Sequence, residues 1–192
     1  MSALIAGLAI FLGMHFIHIL APDWRAAQLA RLGEKAWKGI FSVTSLVGFG
    51  LLVWGYGQAR LDPVVLWQAP RELNAVVSLL MLPAFILLVA AYVPGNRIKA
   101  MVGHPMVASV KLWAFAHLLV NGNLADVLLF GGFLVWAVMS FVTNRKRDRL
   151  SGKTYPVGPV SRTVITVVVG TIVYALFAGY LHLKLIGVSP LA

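Results

Sequence analysis

Histidine is the only strong soft metal ligand available to this sequence, which has five histidines and no cysteine. Disulfides, thiolate metal sites and cysteine nucleophiles are excluded, and the six methionines remain only as weaker ligands. The histidines are His15, His18, His104, His117 and His182. Ionisable groups inside an apolar segment are costly enough to count as functional candidates by default. His15 and His18, three residues apart, share one helix face, and His117 stands in a different apolar stretch. Two imidazoles reaching one depth from different helices can coordinate one metal through bonds of about 2 Å, and an iron held between two histidines in haem is the natural membrane case. The same side chains can instead hydrogen-bond a neighbouring helix, as polar residues in membrane bundles do.

The elements that must position these residues follow from the charge pattern. The 192 residues are 60% hydrophobic and 11% charged, with a mean hydropathy of +0.87, against roughly 25% charged residues in an ordinary soluble domain. A soluble globule is ruled out as the leading reading. The charge-free intervals 1–22, 39–59, 73–96, 127–144 and 163–183 hold 18 to 24 residues each, enough for a helix to cross about 30 Å of hydrocarbon. A sixth apolar stretch, 105–121, is interrupted only by Lys111, whose stem can snorkel to the headgroups. The fold class expected is all-α, a polytopic membrane bundle of about six helices over 3–21, 40–59, 74–94, 105–121, 126–143 and 163–184. Residues 1–192 then form a single transmembrane domain with short loops.

Thirteen of the sixteen basic residues fall in three loops, after the first, third and fifth spans, whereas Arg60, Arg71 and Lys184 fall on the opposite side. The positive-inside rule places those loops in the cytoplasm and both termini outside. It also accounts for the net charge of +10 as orientation and contact with anionic lipids, so no nucleic-acid partner is expected. The first span has no Lys or Arg before it, unlike a secretory signal, and is read as a retained helix. Trp24, Leu29, Leu32, Trp37 and Ile40 are spaced for an interfacial helix between spans one and two. The run "NRKRDRLSGKTYPVGP" reads as an exposed loop. Trp54, Tyr56, Trp67, Tyr92 and Tyr180 fit interfacial anchoring belts.

Counting about 1.5 Å per residue from the span ends, His15 lies about 18 Å and His18 about 22 Å below the outer surface. His117 lies about 18 Å from the inner surface, hence about 12 Å below the outer one. His15 and His117 therefore approach the midplane together. His104, before Pro105, reads as a helix-start residue, and His182 falls at the level of Asp126, which makes Asp126 or water its expected partner.

The stretch "GHPMVASVKLWAFAHLLVNGNLADVLLFGGFLVWA" resembles the NnrU family of integral membrane proteins, through His104-Pro105, Trp113, Ala116-His117-Leu118, Asn121-Gly122, Asp126 and Leu129-Phe130-Gly131. "FLGMH" at 11–15, Arg25, "RLGEKAWKGIFSVTSL" and Gly55-Tyr56 are similar to the same family in the same order. Gly103 stands where relatives commonly have Arg, and Asn123 where Asp is common. The resemblance implies a bacterial inner (plasma) membrane protein associated with nitrite and nitric oxide metabolism, related to the plant 15-cis-ζ-carotene isomerase, a haem b enzyme.

That relationship implies haem b as cofactor. One axial ligand, in the "AH" element, maps onto His117; the other maps onto His15 through "FLGMH", or onto His18 when counted back from Arg25. Trp113, four residues before His117, is a candidate to pack on the porphyrin, and Arg25 a candidate for the propionates. The role implied is redox or of the cis–trans isomerase type, with a nitrogen-oxide or polyene pathway partner, and no catalytic residue is assigned. Two other classes fit parts of the pattern. A non-enzymatic permease or an assembly factor for denitrification enzymes needs only the apolar helices. Membrane methyltransferases share a His-Pro helix start, but typically add an acidic pair late in the chain, and no glutamate follows Glu72 here.

Overall fold

The structure is a computed structural model that describes residues 1–190. These residues are largely helical, and their only strand-like pairing is an isolated antiparallel bridge between Val65 and Asn123. In chain order the helices are α1 (Ser2–Leu20), α2 (Pro22–Leu32), α3 (Glu34–Ala59), α4 (Leu73–Tyr92), α5 (Arg97–Val102), α6 (Pro105–Val120), α7 (Leu124–Ser151) and α8 (Val160–Leu176). A π-helical turn, Phe177–Leu181, carries α8 into the short α9 (His182–Ile186).

All six expected apolar helices form, and five are long and apolar enough to cross a membrane: α1, α3, α4, α7 and the continuous stretch Val160–Ile186. The exception is α6. Its 16 residues reach about 24 Å at 1.5 Å each, short of the roughly 30 Å hydrocarbon core. Both of its ends have local causes. Pro105 occupies the first turn, where its missing N–H costs nothing, and Asn121 leaves helical geometry and turns its amide back onto the His117 carbonyl at 2.8 Å.

Two boundaries depart from the charge-based expectation. Helix α3 begins at Glu34 rather than residue 40, and α7 continues through the basic run to Ser151 rather than ending near 143. Arg, Lys and Glu are good helix formers, so a helix need not end where its apolar stretch does; the exposed loop is confined to 152–159. The helix expected from Trp24 to Ile40 is divided: α2 begins at Pro22 and stops at Gly33, whose φ of 79° ends the helix, and Trp37 and Ile40 belong to α3. Trp24 of α2 meets Trp37 of α3 edge to face at 5.8 Å.

The chain divides into two compact units, with the boundary inside α7: Met1–Trp67 with Gly122–Ser140, and Gln68–Asn121 with the chain from Phe141 onward. The first unit is built on an antiparallel pair, α1 against α3. A Cβ on Gly7 would stand 2.7 Å from the Leu52 Cα, one on Gly48 2.7 Å from the Phe11 nitrogen, and one on Gly55 2.7 Å from the Leu4 Cα. Backbone therefore lies on backbone along the whole pair, the small-residue packing that membrane helices use where lipid removes the hydrophobic drive. Leu4, Leu8 and Leu12 are buried, and Gly132 of α7 packs on Leu12.

The second unit pairs α4 with α8. Gly170 lies against the Ile86 backbone, the Tyr174 hydroxyl donates to the Ser78 carbonyl at 3.0 Å, and Phe85 contacts Tyr174 and Phe177. Asn96 is fully buried. Its amide donates to the Ala90 and Val93 carbonyls, while its carbonyl accepts the Lys99 N–H and caps α5.

Candidate functional site

His15 is built into the first unit by the α1–α3 pair and by α7. Its Nδ1 lies 2.7 Å from the Phe11 carbonyl. A carbonyl only accepts, so Nδ1 carries the hydrogen and Nε2 carries the in-plane lone pair. The ring stacks on Phe11 at 4.3 Å and lies 5.1 Å from Phe41 and 5.7 Å from Trp136, the last edge to face. The His15 carbonyl accepts from the Trp136 indole at 3.2 Å and from the His18 Nδ1 at 2.7 Å. The residue is thus fixed at both ring and backbone, and its Nε2 has no hydrogen-bond partner among the described residues.

His18 differs at that atom. Its Nδ1–H is spent on the His15 carbonyl, so its Nε2 accepts from the Ser140 hydroxyl at 3.4 Å. A further polar atom belongs to the same unit. Ser45 follows Phe41 by one helical turn and precedes Gly48 by three residues, on the α3 face that meets α1, and its buried Oγ has no hydrogen-bond partner.

In the second unit His117 is prepared like His15. Its Nδ1–H donates to the Trp113 carbonyl at 2.9 Å, which puts the ring lone pair on Nε2, and its ring lies 5.4 Å from that of Trp113. Arg25 is in the first turn of α2, half exposed. His15, His18 and Arg25 therefore belong to one unit, and His117 and Trp113 to the other.

A haem needs uncharged imidazole nitrogens, each with its opposite N–H anchored to a carbonyl or carboxylate. His15 and His117 both meet that requirement with the same i−4 bond, so the donor chemistry fits. No cluster of three or more His, Asp or Glu suited to a metal ion occurs among the described residues.

For His182, expected to meet Asp126 or water, the partner found is the Val188 carbonyl, which accepts its Nδ1–H at 2.7 Å. Asp126, almost fully buried, accepts instead from the Tyr56 hydroxyl at 2.6 Å and from the backbone and side-chain N–H of Asn123 at 3.2 and 2.8 Å. Tyr56 is therefore a half-buried donor to that carboxylate. Lys111 rests its ammonium over the Phe141 ring at 4.6 Å, a cation–π contact.

His104 does start α6, as its N-cap, but it also belongs to a polar cluster. Its Nε2 lies 2.7 Å from the Asp148 Oδ2, and the Tyr155 hydroxyl donates to that same oxygen at 2.8 Å. Burial, then the Asp148 hydrogen bond and charge, push the Tyr155 phenol up to about 12. One signal for this cluster was present in the sequence: Asp148 is the only acid within the basic run from Arg145 to Lys153.

The family model described as NnrU protein matches residues 3–190. No curated protein and no solved structure matches the chain. Because the match covers nearly the whole sequence, the chain belongs to the NnrU family.

Proposed function

We propose that this protein binds haem b through the Nε2 atoms of His15 and His117, and that its role is redox or cis–trans isomerisation, linked to nitrite and nitric oxide metabolism or to a polyene. The observation that carries the reading is the shared preparation of the two imidazoles, each donating Nδ1–H to the carbonyl four residues back. His15 is favoured over His18 because the His18 Nε2 already accepts from Ser140. A haem held in this way would supply one-electron chemistry at iron. The chain's own part is to hold the imidazoles. The Phe11 and Trp113 carbonyls set the tautomers, and Phe11, Phe41 and Trp136 fix the His15 ring and limit water around it. Trp113 lies beside His117 as a porphyrin-packing residue, and Arg25 offers a guanidinium suited to propionate.

The absorption spectrum tests this directly. Protein purified from haem-supplemented cells is expected to show a Soret band that His15→Ala and His117→Ala each weaken strongly and that His18→Ala largely spares. Absence of the band from the wild type refutes the cofactor; loss in His18→Ala with retention in His15→Ala reassigns the ligand. A haem-loaded sample that leaves cis-configured polyenes unchanged on chromatography removes the isomerase role. Normal nitrite reduction and gas evolution in a deletion strain removes the nitrogen-oxide role.

A further inference from the structure

The end of α7 and the loop that follows it enclose a cleft of about 530 Å³, lined by Ala100, Arg145, Asp148, Arg149, Lys153 and Tyr155 among others. We propose that this cleft binds the phosphate headgroup of an anionic phospholipid, one lipid at a defined place, and not only the diffuse attraction that a basic loop exerts on a membrane surface. The haem reading plays no part in this.

Three cations face a single acid, and that acid is already committed. The Asp148 Oδ2 accepts from Tyr155 and lies 2.7 Å from His104 Nε2, while Lys153 stands 4.0 Å from its other oxygen. The Lys153 N–H also donates to the Asp148 carbonyl at 2.9 Å, so the loop is tied to the helix end and the cleft has a fixed floor. Arg149 uses only Nε, at 3.4 Å to the Arg145 carbonyl, which leaves its terminal nitrogens for a ligand. Arg145 is half-buried, its Nη1 being 3.0 Å from where a Gly103 Cβ would stand, with Tyr155 at 3.3 Å. Gly103, with φ of 78°, keeps that wall clear of a side chain. Two guanidinium forks and an ammonium around one opening match phosphate oxygens.

The surroundings select a lipid over a soluble anion. Val157, 62% exposed, lines the cleft beside the cations. A basic cleft with an exposed apolar side chain in its wall, where a long apolar helix ends in a basic run, suits a headgroup with acyl chains beside it.

The test titrates the full chain in detergent with fluorescent phosphatidylglycerol, and separately with phosphatidylcholine carrying the same label. Saturable one-site binding of phosphatidylglycerol is expected, with far weaker binding of phosphatidylcholine. Arg145→Gln and Arg149→Gln should each weaken it about fivefold, the effect of one cation at a membrane surface. Lys146→Gln removes the same charge from the same helix outside the cleft and, with salt screening a charge that does not touch the phosphate, should change affinity by less than about twofold. Arg145→Lys keeps the charge without the fork, and an intermediate loss is expected even if Arg145→Gln does not fold. Equal losses for Lys146→Gln and the cleft variants, or binding that never saturates, overturn the site. Displacement of the lipid by an equal concentration of inorganic phosphate overturns the lipid in favour of a free anion; no displacement supports it.

Discussion

Replacing Gly55 with alanine adds one methyl group, and the α1–α3 geometry says what it would meet. Its Cβ would stand 2.7 Å from the Leu4 Cα and 2.6 Å from the Ala3 carbonyl carbon, whereas carbon atoms in contact rest about 3.5–4.0 Å apart. The obstacle is backbone, so no rotamer change relieves it. The helices must part by about 1 Å at that level, which sacrifices dispersion contacts along the buried Leu4 and Leu52. Overpacking of this kind costs about 1–3 kcal/mol. Gly57, two residues on, has nothing within 4 Å of its ideal Cβ. Alanine there is free of clash and gains about 0.5–1 kcal/mol from helix preference. The two isomeric substitutions should therefore differ by about 2 kcal/mol or more, in opposite directions from wild type. Thermal or denaturant unfolding of the purified protein in one detergent, followed by tryptophan fluorescence, reads that difference. Equal midpoints for Gly55→Ala and Gly57→Ala would refute the close backbone packing.

The remaining outcomes concern the polar clusters. Tyr56→Phe removes a 2.6 Å donor from the nearly buried Asp126 and should lower stability by about 1–3 kcal/mol in the same unfolding assay; an unchanged midpoint would show that the carboxyl does not depend on that hydroxyl. The Tyr155 phenol titrates at about 12 in the folded chain and about 10 unfolded. The folded state thus holds that proton more tightly, so the stabilisation is complete below pH of about 10 and is lost as the pH rises towards about 12. Tyr155→Phe should flatten this part of the stability profile, and a wild-type profile that is level over the window would contradict the assignment.

The helical framework was legible because lipid imposes it. A chain whose backbone must satisfy its own hydrogen bonds in hydrocarbon forms helices wherever charge is absent for about 20 residues, and the intervals between charges located α1, α4 and the continuous stretch Val160–Ile186 within a few residues. Where a helix stops is set by other forces. Gly33 ends α2 through its positive φ and Asn121 ends α6, whereas the basic residues after position 144 extend α7 because nothing there breaks it. Depth counting did not find the partners of Asp126 or His182, since height says nothing about which way a side chain points. Asp126 instead closes a local cap with Asn123 and takes a hydroxyl from α3.

The histidines show the same limit most clearly. His15 and His18 are equivalent in residue type and helix face, and counting along the helix favoured His15 by only about 4 Å of depth. What separates them is one atom: the Nδ1–H of each is spent on a carbonyl, but only in His18 does a serine from α7 donate to the remaining nitrogen. Ser140 is 122 residues away in sequence, and its approach depends on how α7 packs against α1. Ligand identity within a histidine pair is thus a tertiary property, which implies that Ser140→Ala should increase the competence of His18 without altering His15. In a His15→Ala background, Ser140→Ala is expected to restore part of the lost Soret intensity. No recovery, with wild-type unfolding behaviour, would mean that the serine is not what keeps His18 from the iron.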